Sequence, residues 1–166
     1  MFIFKIGDFL EKTILTILVV MTCVLIAVGA AQIFFRYVVD YSLFWSEELM
    51  RYLFVWLVML GIGIGIRQKA HVAVDALASL MGPSAQRIMN IFICLLGLAF
   101  FILFIKLGWD FAMKYMGQQS PAMRLPMGYV YLALPLCGLL SSFFYVEQIL
   151  LFIRNKDKQK KEDPAA

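Results

Sequence analysis

Between Thr13 and Phe35 the chain runs for 23 residues without one charged side chain. At about 1.5 Å per residue, that length of helix crosses a hydrocarbon layer of ~30 Å with some tilt. In hydrocarbon the backbone N–H and C=O groups must bond within the segment, so such a run is helix rather than isolated strand. Three further apolar runs follow, at 49–66, 88–105 and 129–153, and their charges lie towards their ends. Lys5 and Lys12 precede the first run and Gly29-Ala30-Ala31 supplies small residues, as in a secretory signal. The run nevertheless exceeds a signal core of about 7–15 residues, and more spans come after it, so it reads as a retained helix.

Composition agrees. The chain is 63% hydrophobic and 16% charged, too little polar surface to cover a globule in water. The expected fold is an all-α integral membrane protein with four transmembrane helices and a short interfacial amphipathic helix between the second and third. That short helix is placed by Val74, Leu77, Ala78 and Met81, which recur at helical spacing before Gly82-Pro83. Residues 1–12 form an amphipathic interfacial lead-in, and 154–166 a charged, disordered tail. Pro135 should kink the last span and free the carbonyl near Tyr131. Gly117 to Gly128, with Pro121 and Pro126, reads as a structured, non-helical connector.

The net charge of +4 is a matter of topology, with no sign of a nucleic-acid partner. Four spans put both termini on one side. With them lie Lys5, Lys12, Arg67, Lys69, Arg87 and five tail bases, ten in all; Arg36, Arg51, Lys106, Lys114 and Arg124 make five on the other. The positive-inside rule therefore places both termini and the 67–87 connector in the cytoplasm of a bacterial inner membrane. The tail is a topology determinant that also has the charge to touch anionic membrane lipids.

The residues that stand out cluster around the second span. At its outer end are Trp45, Ser46, Glu47, Glu48 and Arg51. Ser46 suits an N-cap, the two carboxylates suit a first turn, and Arg51 lies three and four residues from them, within reach of both. The cluster either caps and anchors the helix or docks a partner. Gly61 and Gly65 make a small-x-x-x-small pair for close helix packing, within the chain or against another subunit. Arg67, His71 and Asp75 mark the cytoplasmic interface. Glu147, one turn from the basic end of the last span, is expected to snorkel outward.

Other chemistries lack their residues. Cys23, Cys94 and Cys137 form no metal or redox pattern and read as small core hydrophobes. One histidine supports neither a bis-histidine haem nor a Ser/His/Asp triad, no phosphate loop is present, and no metal or cofactor is expected. No span carries a charge near its centre, where proton-coupled carriers commonly keep a carboxylate. The chain reads as a scaffold and not as an enzyme or a pore.

In order and spacing, the chain resembles the small membrane (Q-type) subunit of tripartite ATP-independent periplasmic (TRAP) transporters over nearly its whole length. The residues that carry this are Trp45-Ser46-Glu47-Glu48 with Arg51, Phe54 and Trp56; the glycine-rich exit through Arg67; His71-Val72 and Val74-Asp75; and Ser120-Pro121-Ala122, Leu125-Pro126, Tyr131 and Pro135. The resemblance implies two protein partners. A periplasmic substrate-binding protein captures an organic acid such as a C4-dicarboxylate or a sialic acid. A large multi-span membrane subunit moves it inward with sodium by an elevator motion. The small subunit would enlarge the fixed scaffold and help seat the binding protein. In some members the two membrane subunits are fused; the charged tail leads us to expect separate chains here. The alternative is a self-assembling small four-helix exporter, a class that needs an acidic residue in its first span, where Thr13 to Phe35 has none.

Overall fold

The computed structural model describes residues 2–68 and 83–162, with side chains for 4–68, 86 and 88–151. Helix α1 runs Phe2–Val38, α2 Ser46–Arg67, α3 Pro83–Lys114, α4 Met127–Tyr131 and α5 Ala133–Glu162. Among the described residues, four helical stretches are long and apolar enough to cross a membrane: Phe4–Val38, Ser46–Arg67, Ile88–Lys114 and Met127–Leu151. The all-α, four-span architecture expected from the sequence is thus the one observed. The interfacial helix assigned to 74–81 lies outside the described residues.

Differences from expectation fall at element ends. From Phe2 the expected lead-in is continuous with the first span, giving one helix of 37 residues. It stops where Asp40 takes a left-handed conformation, φ 56, tolerated by its short polar side chain, and the Tyr41 N–H turns back to the Phe35 carbonyl at 3.0 Å. At the other terminus α5 continues through the charged residues to Glu162, where a disordered tail was expected. Lys, Gln and Glu are good helix formers, and extending an existing helix avoids the cost of nucleation.

The 115–126 connector is structured without being helical. The Ser120 N–H meets the Leu125 carbonyl at 2.9 Å, and the Met127 N–H meets Gln118 at 2.8 Å. The Leu125 N–H donates to Ser120 Oγ at 3.1 Å, and Arg124 turns the chain at φ 53. The last span is interrupted at Leu132, between α4 and α5. This follows from Pro135, which has no N–H to give the Tyr131 carbonyl four residues earlier.

Helix α5 is the centre of the bundle and touches α1, α2 and α3. In the most apolar 18 residues of each span, 44% are buried in the last and 6% in the first. The two least apolar spans, α2 and the last, are also the most buried, as expected where lipid rather than water is the outer solvent. The core is built from Ile14, Leu60, Ile64, Cys94, Phe101, Cys137, Phe144 and Tyr145. Cys94 and Cys137 are buried there and Cys23 is exposed, none of the three in a disulfide. Helix α3 also comes close to α5 at Gly108, where an added Cβ would lie 2.9 Å from Leu134 Cβ and 3.1 Å from Pro135 Cδ.

Candidate functional site: two polar locks at the ends of α2

Helix α2 begins differently from the sequence expectation. Trp45 is the N-cap, with no side-chain cap bond, and Ser46 is the first helical residue. Ser46 is fully buried and its Oγ donates backward to the Leu43 carbonyl at 2.7 Å, so it fastens the preceding turn and caps nothing.

The carboxylates of Glu47 and Glu48 part company. Glu47 is exposed and accepts a bond from Gln32 Nε2 on α1 at 3.3 Å. Glu48 points inward and is 8% exposed. One of its oxygens accepts the backbone N–H groups of Ala122 at 2.8 Å and Met123 at 3.1 Å, and the other accepts the Tyr52 hydroxyl. The Tyr52 hydroxyl also lies 3.2 Å from Met127 Sδ. Arg51 is exposed and makes no ion pair with either carboxylate, contrary to the shared-arginine arrangement read from the spacing. The reason is competition: two backbone donors and a phenol held in place satisfy Glu48 without fixing a long arginine side chain. Trp45 stays exposed beside them.

At the other end of α2, Arg67 gathers three carboxylates. It binds Asp8 at 2.6 Å and Glu11 on α1, and Glu147 on α5 through Nε at 3.2 Å. A second nitrogen, Nη2, reaches the other Glu147 oxygen at 3.3 Å, which makes that contact bidentate. These are the ion pairs among the described residues. Glu147 does not snorkel outward; its side chain is 5% exposed. It is held against the α1 backbone at Gly7, where a Cβ would sit 2.5 Å from Oε1. Neighbouring polar groups complete the lock. Gln68 Nε2 donates to Glu11 at 3.0 Å, and Gln148 Nε2 donates to the Ile66 carbonyl. His71 and Asp75 lie outside the described residues.

Between the locks, one face of α2 is bare among the described residues. An added Cβ at Gly61 or Gly65 meets nothing within 4 Å, whereas one at Gly63 would touch Leu140 and Phe144 at 3.4–3.9 Å. The close contact among the described residues is therefore at Gly63, and the Gly61/Gly65 pair faces away from the other described helices. The sequence reading missed Gly63, Tyr52, Asp8, Glu11 and Gln148. One signal was available: Asp8, Glu11 and Glu147 were assigned to the same side of the membrane as Arg67, a surplus of acid around an arginine at a helix end.

Among the described residues no group of His, Cys, Asp and Glu is placed to hold a metal ion. The chemistry of these sites is that of fixed ion pairs and charge-assisted hydrogen bonds.

Residues 25–155 match the family described as tripartite ATP-independent periplasmic transporters, DctQ component. The sialic acid TRAP transporter permease protein SiaT of Haemophilus influenzae is 33% identical over 70% of this chain and 19% of its own length. The C4-dicarboxylate TRAP transporter small permease protein DctQ of Rhodobacter capsulatus is 33% identical over 77% of this chain and 57% of its own. The ectoine TRAP transporter small permease protein TeaB of Halomonas elongata is 23% identical over 76% of this chain and 67% of its own. The chain thus spans about a fifth of the first of these relatives and somewhat over half of the second. Taken with the four spans and the residue pattern around α2, the family match identifies the chain as a member of the DctQ-component family, a small membrane subunit of TRAP transporters.

Proposed function

We propose that this chain is a non-catalytic scaffold in a sodium-coupled transporter of organic acids, of the C4-dicarboxylate or sialic acid type that its relatives' names carry. In this reading it packs beside a large multi-span membrane subunit. It also helps seat a periplasmic substrate-binding protein. The observation that supports it most directly is the use made of the two buried carboxylates. Glu48 is consumed by the Ala122 and Met123 N–H groups and by Tyr52, and Glu147 by Arg67. A carboxylate that relays protons or ions must exchange partners during turnover. These two are tied to fixed internal donors and serve as fastenings.

The charge asymmetry supports placing the Arg67 end in the cytoplasm and the Glu48 end in the periplasm. The outer surface would then comprise Trp45, Glu47, Arg51 and the 120–125 loop, which Glu48 holds rigid. That surface suits the seating of a binding protein, and the bare Gly61/Gly65 face suits close approach by a helix of the large subunit.

The test is affinity purification of the tagged chain with its neighbouring genes expressed. Proteoliposome uptake of labelled succinate and sialic acid, with the binding protein and an inward sodium gradient, completes it. A large multi-span protein should co-elute, and uptake should require both membrane chains. A chain that transports by itself would overturn the scaffold role. Uptake of neither acid would overturn the substrate class, and uptake independent of sodium would overturn the coupling.

A further inference from the structure

A groove of about 440 Å³ lies between α3 and the α4–α5 segment, at the end of the bundle shared with Glu48. Ile105, Leu132, Pro135, Leu136 and Leu139 make its apolar wall, and Lys106, Trp109 and Asp110 its polar rim. It is a product of the helix break. Gly108 lets the Leu134–Pro135 turn come within van der Waals distance of α3, and the chain diverges beside that crossing. Its volume is that of a small-molecule site, and a helix about 10–12 Å across does not fit into it.

The rim carries two opposite charges that neutralise nothing. Lys106 and Asp110 are both exposed, and among the described residues neither is paired with the other or with a third group. They are stacked along the membrane normal. Asp110 lies one turn, about 6 Å, nearer the helix end than Lys106; Leu136 lies beside Lys106, between the crossings at Gly108 and Gly138, and Leu139 lies deeper. Trp109 stands between the charges at the level where indoles favour the headgroup region.

We propose that this groove binds a phospholipid with a primary ammonium headgroup, of the phosphatidylethanolamine class. The order of Asp110, Lys106 and Leu139 along the groove is the order of ammonium, phosphate and acyl chain in that lipid. Asp110 as acceptor for the outermost ammonium is followed by Lys106 for the phosphate and then by Ile105 and Leu139 for the start of an acyl chain, with Leu132, Pro135 and Leu136 flanking the headgroup. Asp110 accepts N–H bonds from the ammonium, Lys106 donates to a phosphate oxygen, and Ile105 and Leu139 cover the start of the chain. An anionic phosphatidylglycerol headgroup brings no cation to Asp110, and a choline headgroup brings charge without N–H donors. The groove therefore selects by headgroup as well as by hydrophobicity.

The experiment is native mass spectrometry of the full chain released from mild detergent. Phosphatidylethanolamine, phosphatidylglycerol and phosphatidylcholine of matched acyl chains are titrated against it. Wild type should retain the ethanolamine lipid about tenfold better than either rival, the scale of one charge-assisted hydrogen bond. Asp110→Asn should erase that preference while leaving binding of the glycerol lipid unchanged. Lys106→Gln should weaken all three alike, and Leu136→Trp should fill the groove and abolish retention. Equal binding of the three lipids by wild type, or an unchanged preference in Asp110→Asn, overturns the proposal. So does a result in which these substitutions release a protein chain from the purified complex and leave the count of bound lipids as it was.

Discussion

Replacing Arg67 by alanine strands three carboxylates of unequal burial, and the inequality sets the size of the effect. The Asp8 side chain is 75% exposed, Glu11 26% and Glu147 5%. An exposed pair such as that with Asp8 contributes about 0.2–1 kcal/mol. Removing the partner of a buried charge costs about 3–5 kcal/mol, so nearly all of the loss comes from Glu147. The structure therefore predicts a strong coupling. Arg67→Ala in the wild-type background should destabilise by about 4 kcal/mol. In a Glu147→Gln background, where no buried carboxylate is left facing Arg67, the same change should cost roughly 1–2 kcal/mol. The assay is a double-mutant cycle on the full chain in mixed micelles, with unfolding by a denaturing detergent followed by circular dichroism. Independent sites add to within about 0.5 kcal/mol, well below the coupling of ~2 kcal/mol expected here. An Arg67→Ala cost that is the same in both backgrounds would refute the lock.

Three other outcomes follow from the geometry. Glu48→Ala leaves the Ala122 and Met123 amides without their acceptor, and hydrogen exchange at these two positions should accelerate about tenfold or more, that at core amides of α5 staying unchanged. Gly7→Ala drives a methyl into the Glu147 carboxylate and should lower stability by about 1–3 kcal/mol in the same micelle titration, Gly117→Ala, with open space around it, serving as the neutral control. Gly61→Leu with Gly65→Leu should leave the isolated chain as stable as wild type, because neither glycine packs within it, while co-purification with the proposed large subunit falls sharply; an isolated chain that unfolds more readily would show that the face packs internally.

The spans could be read from residue order because hydrocarbon imposes a length and forbids charge, and both are properties of a contiguous segment. Pro135 could be read for a similar reason, since its missing N–H acts on a residue four positions away. The locks are different. Glu48 meets amides 74 and 75 residues distant, and Arg67 meets Glu147 across 80. Local spacing instead offered Arg51 as partner to Glu48, an i,i+3 contact that is geometrically available but weak. The glycines failed in the same way. Gly61, Gly63 and Gly65 alternate, and only the placement of Leu140 and Phe144 on another helix decides that Gly63 is the covered one. Backbone-dictated features were visible in the residues; side chains that choose among distant partners were not.

The two locks also make α2 a gauge of membrane thickness. From Glu48 to Arg67 the helix rises about 28 Å, close to the ~30 Å of a hydrocarbon layer. Each end is bolted to a different part of the chain, the Glu48 end to the 120–125 loop and the Arg67 end to α1 and α5. A helix free at one end meets a thicker bilayer by sliding or tilting on its own. This one has to take its neighbours with it, so the mismatch, a fraction of a kcal/mol per Å, falls on the surrounding lipid. The bundle imposes its own height on the bilayer, and the large subunit proposed as its partner would work against a boundary of constant depth.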